Sequence, residues 1–420
     1  MGQGKPRLYV AGLIALLAAA AACTEDLESS SGCPLLCVDP GGEIATVVLD
    51  PVTLDTTVSA LTGQGTETSL LVAARGDTLD SRAVIRFDSI PARFLPSGSD
   101  TTTQPITRAD SVTLQFRVDT IEAKLPANVT IDAYDVDTTA ADSLIGAVAS
   151  LFRPDRLIAS NTFADSALKD TVRYTLPSAA ILDRTGRRLR IGLKARGDNS
   201  VQFRILSTET AGTPTQLRFR VSTDTVVRPI VLTPYSKTPE NQPSVAQSLA
   251  DYTVLVAAPP SAAPPVLSVG GLPAHRVYMR FNIPRAITDS VDIVRATLLL
   301  TQRPNRAIDP TDTISLIAYI TLAGKAITDI TRASQIIQRV SGDTLHVAPS
   351  DSGQKNLDIA GIFGVWRLQP DSIAPRAIVL VSSREGQIPL EARFFSIEAD
   401  PALRPRLRIS YSTRRSRGLP

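Results

Sequence analysis

The chain has few of the side chains that enzymes most often use for metal binding or nucleophilic catalysis. Its 420 residues include two histidines, three cysteines, two methionines and one tryptophan. No nucleophile elbow, phosphate-binding loop, zinc-protease helix or dinucleotide fingerprint occurs. His275 and His346 lie far from the cysteines in sequence, which argues against a zinc site. We therefore predict that the protein is not an enzyme and that it binds no catalytic metal or other cofactor.

An excess of charge of one sign is also missing. The chain carries 44 basic and 41 acidic residues, a net charge of +3. This balance is not that of a nucleic-acid-binding polycation, so we expect no nucleic-acid partner. The 30 prolines and 24 glycines indicate many turns and few long helices. The arginine-rich end, residues 414–420, is predicted to be a frayed tail.

The amino terminus has the pattern of an export signal. Lys5 and Arg7 precede an uncharged run from Leu8 to Ala22 that is too short to span a bilayer. Residues 1–22 are therefore predicted to be a signal peptide. The three alanines before Cys23 resemble the lipobox of bacterial lipoproteins, which implies lipidation of Cys23, a membrane partner through the lipid anchor, and an outer-membrane location. A non-lipidated signal peptide that is cleaved nearby is the alternative.

Residues 23–43 are rich in serine, glycine and proline, a composition typical of a flexible tether. Within this segment, Cys33 and Cys37 are only four residues apart. Export would place them in an oxidising compartment, where a disulfide is possible. Whether so short a loop closes depends on backbone geometry, and both states remain open at this point.

The rest of the chain contains one unit twice. Ser81–Asp88 (SRAVIRFD) corresponds to His275–Asn282 (HRVYMRFN), and further matches follow in the same order. They pair IDAY with LIAY, RILSTE with RFFSIE, and one LR dipeptide with another. We place the two copies at residues 44–226 and 227–413, each the size of an ordinary domain.

Short alternating runs of apolar and polar residues dominate both copies. In the first copy, Ala83, Ile85 and Phe87 point to one side of a predicted strand. The other side has Arg82, Val84 and Arg86. Such runs, separated by turn residues, predict an all-β fold of two tandem antiparallel β-sandwich domains of the jelly-roll type. Helix is predicted to be minor, and residues 327–340 are its best candidate.

The repeated segments resemble the DNRLRE-type domains of bacterial surface proteins. The resemblance rests on LSVGG at Leu267–Gly271, RVYMRF at Arg276–Phe281, ATLLL at Ala296–Leu300 and RPRLRISY at Arg404–Tyr411. The first copy matches through LLVA, RAVIRFD, VTL and LRF. This resemblance implies jelly-roll sandwiches similar to carbohydrate-binding modules, and hence a polysaccharide as a partner.

Five residues are candidates for ligand binding. Arg82, Arg86, Arg276 and Arg280 occupy equivalent places in the two copies and would make a basic strip for anionic polymers. The competing interpretation is that these arginines blunt a sheet face or pair with acids. Trp366 is a candidate platform for a sugar, although its apolar surroundings in sequence equally favour a core position.

An acidic cluster in the first copy offers a candidate for structural calcium. Asp132, Asp135, Asp137 and Asp142 provide the hard oxygen ligands that calcium prefers. Their spacing lacks the glycine of an EF-hand loop, and the second copy has no comparable group. A solvated loop is the competing interpretation.

These observations predict a non-catalytic cell-surface lipoprotein that binds an extracellular polymer through tandem β-sandwich modules, with glycan as the leading ligand. Two alternatives remain. The chain is a structural or assembly spacer that contacts an envelope protein, or it is an unrecognised hydrolase, because a catalytic carboxylate pair carries no sequence spacing.

Overall fold

A computed structural model describes residues 44–60, 64–96, 101–212, 214–223, 226–237, 249–260, 262–263, 265–305, 311–321, 336–338, 343–368 and 376–413. The predicted signal peptide, tether and carboxyl-terminal tail lie outside the described residues. So do Cys23, Cys33 and Cys37, so their predicted lipidation and disulfide stay predictions.

The strands up to the middle of the chain are β1 (Ile44–Leu49), β2 (Val52–Ser59), β3 (Ser69–Arg75), β4 (Leu79–Phe87), β5 (Arg93–Phe94), β6 (Gln104–Pro105), β7 (Asp110–Lys124), β8 (Asn128–Asp135), β9 (Leu157–Ala164), β10 (Thr171–Thr175), β11 (Leu189–Arg196), β12 (Val201–Leu206) and β13 (Gln216–Arg220). They are followed by β14 (Ile230–Leu232), β15 (Asp251–Ala257), β16 (Val266–Gly270), β17 (His275–Phe281), β18 (Val291–Arg303), β19 (Ile314–Thr321), β20 (Ile336–Gln338), β21 (Leu345–Val347), β22 (Gly353–Asp358), β23 (Arg376–Ser382), β24 (Glu391–Phe395) and β25 (Arg406–Thr413).

Helices are short in the described part of the chain. They are α1 (Ile145–Ala149), α2 (Ala179–Leu182), α3 (Arg285–Asp289) and α4 (Ala360–Leu368), with 3₁₀ turns at Pro154–Arg156 and Asp165–Leu168. Within the same described ranges, no helix is long and apolar enough to cross a bilayer.

Two large antiparallel sheets have the same strand order. One sheet runs β14-β13-β7-β12-β3-β4-β11-β8-β9, with β10 beside β7 and β15 beside β4. The other runs β1-β25-β18-β24-β16-β17-β23-β19-β20, with β22 beside β18, β2 beside β17 and β21 beside β19. We call these bodies the first and the second sandwich. Among the described strands of the two sheets, only β21 has no counterpart in the first sandwich, and the agreement of the others shows that the sequence repeat is a structural repeat.

Each sandwich closes around its own apolar core. In the first sandwich, β7 contributes to both layers. Its residues 113–117 pair with β10 in one layer, whereas Val118 and Asp119 pair with β12 in the other. The core between these layers holds buried side chains from all of these strands. The second sandwich has a core of equivalent composition, to which α4 contributes. Removing such alternating apolar side chains from water is the main term that stabilises both sandwiches.

The two copies exchange their first two strands. β1 and β2 come first in the chain, but they pair with β25 and β17 of the second sandwich. β14 and β15 begin the second copy, but they pair with β13 and β4 of the first sandwich. The exchange is therefore reciprocal, and each sandwich is completed by strands from the opposite copy.

Matched side chains hold the exchanged strands. On β15, the hydroxyl of Thr253 accepts a hydrogen bond from the N–H of Leu71 at 3.2 Å. On β2, the hydroxyl of Thr57 accepts one from the N–H of Ser268 at 2.9 Å. Leu71 and Ser268 lie in the first strands of two hairpins, β3–β4 and β16–β17, which we call the acceptor hairpins. Each threonine links its strand to the first strand of an acceptor hairpin, so the two exchanged strands are attached in the same way.

A buried aspartate lies two residues before each threonine. Asp251 accepts hydrogen bonds from the N–H of Thr208 at 2.9 Å and from its hydroxyl at 3.0 Å. Asp55 accepts one from the N–H of Ile397 at 2.8 Å. Thr208 and Ile397 occupy matching turns of the two acceptor sandwiches, so the aspartates also form a duplicated contact.

The predicted all-β sandwich class is confirmed. The predicted boundary between residues 226 and 227 stays a prediction, because it concerns folding units, whereas the sheets show only that strands cross it in both directions. The helix predicted over residues 327–340 is wrong for residues 336–338, which form β20 against β19. The other residues of that segment lie outside the described ranges.

Candidate functional site

The predicted arginines of the first copy lie in buried ion pairs. Arg82 contacts Asp80 at 2.6 Å and lies 4.8 Å above the ring of Phe152. Arg86 pairs with both Asp88 and Asp142 and is only 2% exposed. Pairing with acids, the competing interpretation from the sequence, is what the structure shows for both side chains.

In the second copy, Arg276 pairs with Glu385 at 2.6 Å, with both side chains largely buried. Arg280 is half-buried on β17. Trp366 is 1% exposed on α4, and its ring lies 5.3 Å from that of Phe281 in the core. Assignment of these residues to ligand binding stays a prediction, but as placed they do not make an exposed strip.

Asp142 is the centre of the buried network in the first sandwich. It accepts hydrogen bonds from Arg86, Arg190 and the hydroxyl of Tyr252. Burial opposes the charge on Arg86, but hydrogen bonds and the charges of Asp88 and Asp142 outweigh it and raise the pKa of Arg86. Burial and the charge of Asp142 raise the pKa of Tyr252. Because Tyr252 belongs to β15, this network also holds the exchanged strand.

The other members of the acidic cluster have arginine partners too. Asp132 accepts from Arg196 at 2.7 Å. Asp137 accepts from Arg184 at 3.1 Å, and Arg184 also contacts Asp135. Across the described ranges, no group of three or more His, Cys, Asp and Glu side chains is arranged to hold a metal ion. The acids therefore act here as ion-pair partners.

A different basic surface lies on the outer layer of the first sandwich. Strands β7, β10 and β13 bury one set of alternating side chains and present the other set outward. The register places the outward side chains in cross-strand rows. We call this surface the outer face, and it consists of Thr113, Gln115, Arg117, Thr171, Arg173, Thr175, Gln216, Arg218 and Arg220.

The arginines of the outer face differ from the predicted ones in their pairing. Arg173, Arg218 and Arg220 make no ion pair with any residue that the structure describes. Among the residues that the structure describes, the one ion pair of Arg117 is with Asp170 at 3.6 Å, and both side chains are exposed. An exposed pair of that length contributes less than about 1 kcal/mol, so it leaves the guanidinium available to a ligand.

Two open clefts lie on the outer face. A cleft of about 270 Å³ is lined by Gln115, Arg117, Asp170 and Thr171 among others. A second cleft, of about 380 Å³, is lined by Thr171, Arg173 and neighbouring apolar side chains, including Phe163. The clefts share Thr171, so they form adjacent parts of one polar surface with amide, hydroxyl and guanidinium groups.

The second sandwich repeats this surface only in part: Arg408 stands where the first sandwich has Arg218, and Arg406 replaces Gln216. By register, Thr301 and Asn356 stand where the first sandwich has Arg117 and Arg173. Leu299 replaces Gln115 and is buried. The arginines at positions 117 and 173 on adjacent strands thus belong to the first sandwich, whereas the arginine of the third strand is present in both.

Sequence reasoning missed the outer face. Its signal is present in QLRFR at β13 and TVRYT at β10, where arginine alternates with buried apolar residues. Alternation places these arginines outward, but it cannot show that the two strands flank β7, nor that Arg173 and Arg218 form no ion pair.

Together these features define an all-β protein of two strand-exchanged sandwiches with an open polar face on one of them. No family model and no curated protein matches the chain. Among solved structures, it is similar to the M60 catalytic domain with the CBM51-1 and CBM51-2 domains from Clostridium perfringens ZmpB, at 8% identity and a TM-score of 0.15. The match covers 87% of this chain and 38% of that one.

Proposed function

We propose that this chain is an exported, lipid-anchored surface protein that binds an extracellular polysaccharide on the outer face without changing it chemically. The observation that supports the proposal is the open sheet face with its rows of amide, hydroxyl and guanidinium groups. Such groups offer many hydrogen bonds to a polyhydroxylated chain, and a flat surface suits an extended ligand better than a closed pocket does.

The binding test uses the full-length chain in detergent and a panel of immobilised neutral and acidic polysaccharides. We expect at least one member to bind, and we expect Gln115→Ala combined with Gln216→Ala to weaken that binding. The matched control is Gln354→Ala with Asn356→Ala on the exposed part of β22 in the second sandwich. Absence of binding across the panel, or equal binding by the outer-face variant, would refute the proposal.

The proposed anchor has a separate test. Since lipidation of Cys23 would hold the protein on a membrane, Cys23→Ala should release it into the soluble fraction after cell lysis. Cys37→Ala serves as the control and should leave the protein membrane-bound. Unchanged retention of the Cys23→Ala variant would contradict the lipid anchor.

A structural or assembly spacer is the second candidate, and the reciprocal strand exchange favours it. Exchange joins the sandwiches through hydrogen-bonded strands in addition to the covalent connections, as a spacer under load requires. Cross-linking in intact cells distinguishes the two functions: a spacer yields a defined envelope protein as partner, and its outer-face variant retains that partner.

A further inference from the structure

We infer that the ligand of the outer face is a polyanion, specifically an acidic polysaccharide that carries carboxylate or sulfate groups. This inference rests on the proposed function, and it adds the chemical class of the ligand. The observation behind it is the difference between the exposed arginines of this face and the buried arginines of the first sandwich.

Ion pairs neutralise the buried arginines of the first sandwich but not most arginines of the outer face. Arg82, Arg86 and Arg190 all contact aspartates at short range within the sandwich. On the outer face, by contrast, Arg173 and Arg218 have no acidic partner among the described residues. A protein that pairs its buried arginines but leaves an exposed group of them unpaired presents a local positive field, although its net charge is only +3.

The register spaces these cations along two directions. Arg173 faces Gln115, which faces Gln216, in one cross-strand row. Arg218 faces Thr113 in the next row, and Arg117 faces Thr171 on the other side. Neighbouring strands lie about 4.8 Å apart and alternate residues about 7 Å apart along a strand, so the cations and amides form a grid rather than one point site. A grid suits a repeating ligand.

The side-chain chemistry selects among polyanions. Guanidinium groups bind carboxylate and sulfate with two parallel hydrogen bonds, while Gln and Thr side chains bind hydroxyl groups. None of the nine outward side chains of the face is aromatic. Of the two aromatic residues that line its clefts, Phe116 is buried and Phe163 packs against the core beside Tyr174, so the face offers little surface for base stacking. These observations favour an acidic polysaccharide over a single-stranded nucleic acid.

The test compares three forms of one polymer: dextran, carboxymethyl-dextran and dextran sulfate. The full-length protein in detergent is measured by biolayer interferometry at about 50 mM and about 300 mM salt. We expect at least one charged form to bind about tenfold or more tightly than dextran, and we expect the preference to shrink at the higher salt. Preference for the carboxymethyl or the sulfate form identifies the anionic group.

Two double variants assign the preference to the face. Arg173→Gln with Arg218→Gln should lower affinity for the charged polymer about tenfold or more. Arg153→Gln with Arg295→Gln removes the same charge from exposed sites elsewhere and should change affinity less than about twofold. Thermal unfolding of both variants checks that they remain folded.

Several results would overturn the inference. Dextran bound as tightly as its charged forms, with dependence on the Gln115 and Gln216 amides, removes the polyanion but keeps polysaccharide binding. No binding by any polymer removes both proposals. Tighter binding of single-stranded DNA or anionic vesicles than of every acidic polysaccharide, lost in the Arg173 and Arg218 variant, assigns the face to another class of ligand.

Discussion

Buried carboxylates in this protein fall into two groups. Asp142 is held by guanidinium groups, whereas Asp55 and Asp251, on the exchanged strands, are held only by turn N–H and hydroxyl groups. Burial raises the pKa of Asp251 to about 6, and backbone and side-chain hydrogen bonds from Thr208 oppose this only in part. Burial likewise raises the pKa of Asp55 to about 6. The matched pair of carboxylates at the strand exchange is thus protonated at a higher pH than ordinary aspartates are.

The first prediction concerns the pH dependence of stability. A folded-state pKa above the unfolded value means that the folded protein binds more protons between about pH 4 and pH 6, so the free energy of unfolding falls as pH rises through that window. Glu67, whose pKa burial raises to about 7, extends the fall upward. Denaturant unfolding at a series of pH values should show this slope.

Asp251→Asn isolates the effect. Because the amide does not titrate, the fall in the free energy of unfolding with rising pH should be smaller in this variant by up to about 3 kcal/mol. Asp110→Asn, at an exposed aspartate, is the control and should keep the wild-type slope. An Asp251→Asn variant whose slope equals that of the wild type would show that Asp251 titrates normally.

The second prediction concerns the paired group. Asp142→Ala leaves Arg86 and Arg190 buried with a partner removed, which should cost about 3–5 kcal/mol in the free energy of unfolding. Asp170→Ala, at an exposed ion pair, should cost less than about 1 kcal/mol. Urea titration measures both changes, and equal costs would contradict the structural role of the network.

At the scale of single residues, the sequence predicted to which side of a strand a side chain points, but not whether a charged side chain is buried. Alternation placed Ala83, Ile85 and Phe87 on one side of β4, and all three are in the core of the first sandwich. It could not predict that Arg86 is buried, because the partner Asp142 and the adjacent strand β15 come from distant parts of the chain. Such burial depends on tertiary contacts that periodicity does not encode.

At the scale of elements, the exchanged strands yield the third prediction. β2 belongs to the first copy in sequence but pairs with β17 along His275–Phe281, with Val58 opposite Arg276. Val58→Pro removes a strand N–H and disturbs this ladder, so amide hydrogen exchange should accelerate in β17. Val254→Pro in β15 is the reciprocal variant, and it should accelerate exchange in β4.

The pair of variants makes the outcome decisive. If each copy kept its own strands, Val58→Pro would deprotect β4 and Val254→Pro would deprotect β17. Hydrogen-exchange mass spectrometry resolves these peptides. Deprotection within the same copy would therefore contradict the exchange, while crossed deprotection supports it.

The sequence shows that the two exchanged strands are equivalent, but it does not show which sandwich each strand joins. DTTV at Asp55–Val58 corresponds to DYTV at Asp251–Val254, which identifies equivalent strands. Both acceptor hairpins offer the same partners, an N–H for the threonine and a turn N–H for the aspartate. Either strand would satisfy either hairpin, so pairing within or between copies gives one and the same pattern. The choice depends on the connections between copies.

At the scale of the whole molecule, strand exchange makes each sandwich depend on the other. Unfolding of the first sandwich releases β15, and with it the segment that leads into β16 of the second. The same holds for β2, whose loss removes a partner of β17. We therefore expect one cooperative unfolding transition in place of two, in contrast with ordinary tandem domains.

The single tryptophan turns this expectation into the fourth prediction. Trp366 is buried in the second sandwich and reports its unfolding by fluorescence. Phe203→Ala creates a cavity in the core of the first sandwich, at a cost of about 3–5 kcal/mol. Because the sandwiches share strands, the Trp366 transition should shift to lower denaturant together with the far-ultraviolet circular dichroism. Phe203→Leu, which conserves most of the volume, should shift both signals less. If the Trp366 transition stays in place while the dichroism signal shifts, the two sandwiches unfold independently. That result would contradict the strand exchange, because loss of the first sandwich would also disturb the strands that it shares with the second.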